Sequence, residues 1–138
     1  MENTTIVHKK GFLMSVILIA SFLILGGNVF SGGTGLIGSI TTMSLLGILG
    51  SAMYLVAGLG GIYGAKLLWK LEKKGLLIYL GALVLSLGAQ AIAVYRATEV
   101  ISSLGVDVSS VGSGILKFYI VVYIIYTIVI IKNKRKLT

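Results

Sequence analysis

Charge, the raw material of most catalysis, is concentrated in one place in this chain. The segment KLLWKLEKKG, at 66–75, carries Lys66, Lys70, Lys73 and Lys74, together with Glu72 and the single tryptophan, Trp69. If the chain were an enzyme, an active site would be sought there first. The remaining ionisable groups are sparse. Glu99 and Asp107 stand eight residues apart in a polar stretch, where solvation is the ordinary role of a carboxylate. The one histidine, His8, adjoins Lys9, which excludes a bis-histidine haem or a multi-histidine metal centre within one subunit. Without cysteine there is no thiolate nucleophile, thiolate metal site or disulfide. No nucleophile is paired with a base, and no phosphate loop is present. The expectation is no catalytic residue, no metal, no cofactor and no enzymatic activity.

Uncharged groups offer subtler chemistry. Gln90 is the most polar side chain deep in an apolar run, and its amide needs a partner in lipid. An interhelical hydrogen bond there is worth about 0.6–2 kcal/mol. Asn28 and Ser21 raise the same need. Tyr119, Tyr123 and Tyr126 fall at i, i+4 and i+7, hence on one helix face. With Gln90 they are candidates for lining a pocket for a quinone, lipid or hydrophobic solute. The plainer reading is that the rings fill grooves beside a glycine-rich helix. Small residues recur at four-residue spacing: Gly47 with Ser51, Gly60 with Gly64, and Ala57, Gly61 and Ala65. Ala82, Ser86, Ala89 and Ala93 form a second such face. Faces of this kind let helices approach closely in a membrane, either within one bundle or at an interface between subunits.

The elements that position these residues follow from composition. Of 138 residues, 57% are hydrophobic and 12% charged, and the mean hydropathy is +1.03, which is too apolar for a small soluble domain. No Asp, Glu, Lys, Arg or His occurs in 11–65, 75–95 or 118–131. About 20 apolar residues cross a bilayer as a helix, so four spans are expected, at about 12–29, 42–68, 76–94 and 115–131. They form a single transmembrane domain over 1–138. A cytoplasmic turn falls at 69–75 and outer loops at 30–41 and 95–114. The first loop is glycine-rich and reads as flexible. In the second, ATEVISSL reads as a short helix stopping at Gly105. The fourth span is rich in β-branched and aromatic residues, but a lone strand in lipid would leave its backbone unpaired, so helix is expected. No A-x-A-like site follows the first span, which reads as a retained helix. The predicted fold class is all-α: a four-helix integral membrane protein with antiparallel transmembrane helices, N-in and C-in.

Orientation rests on the lysines and arginines. Lys9, Lys10, Lys66, Lys70, Lys73, Lys74, Lys132, Lys134, Arg135 and Lys136, ten of the twelve basic residues, fall on one side of a four-span layout. The positive-inside rule then places both termini in the cytoplasm, and a prokaryotic inner membrane is the expected location. A net charge of +8 distributed in this way points to membrane topology and not to nucleic acid. Anionic lipid headgroups are the expected partners of these residues, at about 1 kcal/mol per basic side chain. Trp69, Tyr79 and Tyr95 read as interfacial anchors, and Gly75 as the residue just past a helix end favoured by Lys73 and Lys74. No charged residue lies mid-span, where proton-coupled carriers and voltage sensors need one. The leading expectation is a structural or accessory subunit that packs against itself or other membrane subunits. The alternative is a small carrier or channel for an uncharged or lipid-like solute.

Overall fold

The structure, a computed structural model, describes residues 11–134; His8, Lys9, Lys10, Arg135 and Lys136 lie outside them. Four helices follow one another: α1 (Phe12–Thr41), α2 (Leu45–Trp69), α3 (Lys74–Ser103) and α4 (Ser109–Lys132). Each is long and apolar enough to cross a membrane. Their outer surface carries Phe12, Leu23, Phe30, Leu77, Val84 and Phe118, all more than 60% exposed, a surface suited to hydrocarbon and not to water.

The helices are longer than the apolar runs suggest. The expected loop at 30–41 is the C-terminal part of α1, and only 42–44 separate it from α2. Glycine costs roughly 1 kcal/mol against alanine in a helix, yet here its bareness is what permits packing. A Cβ on Gly32 would lie 2.7 Å from the Leu55 backbone nitrogen and 2.9 Å from the Ser51 carbonyl oxygen. Backbone-to-backbone contact with α2 therefore outweighs propensity. Likewise α3 runs through 95–103, so the second loop shrinks to 104–108, with Gly105 just beyond the helix end as expected.

Three helix ends turn through one left-handed residue, and two of them close with the same pair of bonds. After α2, the Glu72 N–H donates to the Leu67 carbonyl at 2.9 Å and the Leu71 N–H to Leu68 at 2.9 Å, a Schellman motif. Ser44 and Met43 repeat it after α1, donating to Ser39 and Ile40. The residue that must adopt left-handed backbone is Met43 (φ 52°), Leu71 (φ 62°) and, after α3, Gly105 (φ 83°). Gly75 does not fill that role. It lies in the first turn of α3, buried, where a Cβ would come within 2.8 Å of the Gly64 carbonyl oxygen and the Leu68 nitrogen. Its bareness serves close approach between α2 and α3.

Inward-facing residues alternate at three- and four-residue intervals, the pattern of coiled-coil seams. In α1 they are Met14, Leu18, Ser21, Leu25, Asn28 and Gly32; in α3, Gly75, Tyr79, Ala82, Ser86 and Ala89. In α2, Gly47, Gly50, Ala57, Gly61, Gly64 and Leu68 are all buried. Contacts run in opposite senses along neighbouring helices: Gly58 meets Leu25 and Val29 while Gly32 meets Leu55, and Gly64 meets Tyr79 while Gly50 meets Ile92. So α2 is antiparallel to both α1 and α3. α4 lies against α3, with Gly112 beside Val94 and Thr98.

Candidate functional site

Polar side chains within the apolar bundle pair in two clusters, one heptad apart. Ser21 donates its hydroxyl proton to the Ile17 carbonyl at 2.7 Å, so in its hydrogen bond with Tyr79 the tyrosine hydroxyl is the donor. One heptad further along both helices, Asn28 Nδ2 donates to Ser86 Oγ at 2.8 Å, and Ser86 Oγ bonds Tyr123 Oη at 2.8 Å. The pairs Ser21–Tyr79 and Asn28–Ser86 are separated by the same 58 positions. A constant offset means that α1 and α3 run parallel and in register, as expected of first and third helices in an up-down bundle. All five residues are buried. None of the five carries a formal charge, and their part in the fold is read from this pairing. What it does is align: a slip of either helix would leave several buried groups unpaired.

The predicted pocket-lining set does not converge. Gln90 is half-buried and joins none of these bonds. Tyr119, Tyr123 and Tyr126 contact one another along α4, with ring centroids 6.0 and 6.5 Å apart. Only Tyr123 lines the groove of about 340 Å³ between α3 and α4, whose other walls include Leu80, Val84, Ile120 and Ile124. Tyr79, expected at an interface, is fully buried, whereas Trp69 and Tyr95 are exposed. Sequence reading gave Ser21 and Asn28 little weight and missed the role of Tyr79. The signal available was their heptad spacing, 21 with 28 and 79 with 86.

The small-residue faces divide sharply. Gly47, Ser51, Ala57, Gly61, Gly64, Ala82, Ser86 and Ala89 are buried inside the chain's own bundle, while Ala93 is exposed. Gly60 has nothing within 4 Å of where a Cβ would stand, but a Cβ on Gly64 would lie 2.6 Å from the Tyr79 nitrogen. The two glycines of that four-residue pair therefore do different things. Gly26, Gly27, Gly33 and Gly38, on α1, also face open space.

At the end of the bundle holding the α2–α3 turn, Lys66, Trp69, Lys70, Lys73 and Lys74 are exposed, as are Lys132 and Lys134 at the close of α4. Lys66, Trp69 and Lys70 border a groove of about 350 Å³ with Ile19 and Phe22. The groove thus has a basic rim over apolar walls. Among the described residues, no three His, Cys, Asp or Glu side chains converge. No family model, curated protein or solved structure matches the chain, so its own geometry carries the functional argument.

Proposed function

We propose that this is a non-enzymatic integral membrane protein, a structural or accessory subunit that packs against a second copy or another membrane protein. The observation that carries this reading is the outward face of α1. Gly27, Thr34 and Gly38 follow one another at seven and four residues, all exposed. Nothing approaches the two glycines, and Thr34 satisfies its own hydroxyl on the Phe30 carbonyl. A bare face of this kind admits a further helix at close range. Glycines facing inward already have their partners within the chain, so they offer nothing to a second subunit.

In this reading the lysine-bearing end is cytoplasmic, both termini included, in a prokaryotic inner membrane, with Lys66, Trp69 and Lys70 on anionic headgroups. The test is mass measurement by light scattering or native mass spectrometry after extraction in mild detergent. The expected result is an assembly larger than one chain, reduced to monomer by Gly27→Leu with Gly38→Leu. A wild-type monomer that moves solute across liposomes would instead favour the carrier reading. The α3–α4 groove supports that second reading, and Val84→Trp, which fills it, should then abolish transport.

A further inference from the structure

A cavity of about 230 Å³ lies between α1, α2 and α3 at the end opposite the lysine-rich turn, lined by Ser31, Ser51, Tyr54 and Arg96 among small and apolar residues. Arg96 follows the buried Ala89 by one heptad on α3 and lines the cavity wall. A Cβ on Gly47 would meet Ser39 Oγ and lie 2.5 Å from Arg96 Nη1 and 2.9 Å from Cζ, so the guanidinium lies close against the α2 backbone. Glu99, one turn on, is exposed and does not pair with it, and no other described carboxylate does. The hydroxyls of Ser31, Ser51 and Tyr54 take part in no hydrogen bond among the described residues. Ser51 Oγ faces the space beside Gly35, another cavity wall.

A half-buried, always-charged fork beside three unused hydroxyls, with no acidic residue on the wall, is complementary to an oxyanion. The volume is below the roughly 300–1,000 Å³ typical of whole small-molecule sites, so it suits a group and not a bulky solute. Arg96 lies near the end of α3 and Gly47 in the first turn of α2, which places the cavity where a bilayer presents headgroups. We propose that Arg96, with Ser31, Ser51 and Tyr54, binds a phosphate group at this end of the bundle, carried either by an anionic lipid or by a soluble anion.

The chain has no cysteine, so Ala93→Cys, on the exposed wall of the cavity, provides a single thiol that reports on this site and not on the lysine-rich end. Its alkylation by N-ethylmaleimide is timed in the full chain in three kinds of nanodisc: phosphatidylcholine alone, phosphatidylcholine with phosphatidylglycerol, and phosphatidylcholine with added inorganic phosphate. Alkylation is expected to slow several-fold with phosphatidylglycerol if a lipid is the ligand, or with inorganic phosphate if a soluble anion is. Adding Arg96→Gln should remove the effect. If that variant does not fold, Arg96→Lys, which keeps the charge but loses the fork, should weaken it. Lys117→Gln, removing the exposed cation of α4 at the same end, should leave it intact. Equal rates in all three nanodiscs overturn the proposal. So does slowing that survives Arg96→Gln undiminished, that Arg96→Lys leaves at full strength, or that Lys117→Gln abolishes.

Discussion

Helices α2 and α4 are both apolar enough to cross a bilayer, yet 33% of the apolar span of α2 is buried in the bundle against 17% of that of α4. Composition explains why. α2 has glycine or alanine at most of its inward positions, so α1 and α3 reach its backbone. α4 carries isoleucine, valine and tyrosine, whose side chains hold it at a distance except around Gly112, Tyr123, Val129 and Ile130. In water the bulkier helix would be the better buried. In lipid, hydrocarbon outside a bundle is as apolar as hydrocarbon inside, so burial follows shape and polar pairing and not hydropathy.

The strongest way to break this comparison is to add bulk to α2. Gly64→Leu drives a side chain into the Tyr79 backbone and should cost about 3 kcal/mol or more, while Gly60→Leu should stay within about 0.5 kcal/mol. Reversible unfolding in mixed detergent micelles measures both, and equal losses would contradict the assignment of inward and outward faces. On α4, attachment rests on the polar link. Tyr123→Phe should cost about 1 kcal/mol, and a double-mutant cycle with Ser86→Ala should show coupling of roughly 0.6–1.7 kcal/mol. Ile124→Ala, on the exposed side, should change little. The smallest effect concerns the turns. Met43 is 88% exposed and held at φ 52°, so Met43→Gly should stabilise the fold by up to about 1 kcal/mol. Gly105→Ala, at φ 83°, should destabilise it by a similar amount.

Much of this architecture is legible in the chain. Uncharged runs delimit four helices, and the lysine-rich segment at 66–75 marks the turn between α2 and α3. The extension of α1 through 30–41 was hidden because glycine reads locally as a breaker. Its compensation, the α2 backbone at Ser51 and Leu55, is a tertiary fact. Four-residue spacing likewise suggested that Gly60 acts with Gly64, whereas the packing follows a three–four alternation that leaves Gly60 outside. Gln90 drew attention as the lone amide in its span, yet the working polar groups are Ser21, Asn28, Tyr79, Ser86 and Tyr123. Their importance lies in pairing across helices, which no single helix displays. Arg96 was hidden for a similar reason: near the end of its apolar run it reads as a topological marker, and only Gly47 on another helix reveals that it turns inward.

The central claim is that polar pairs lock α1 and α3 parallel and in one register. Because the chain lacks cysteine, Asn28→Cys with Ser86→Cys tests it directly, using the shortest bifunctional thiol reagent and mass spectrometry of the monomer band. The expected result is efficient cross-linking within one chain, and none for Asn28→Cys with Ala93→Cys, displaced by one heptad. Cross-linking of the displaced pair, or failure of the Asn28–Ser86 pair in folded protein, would contradict it.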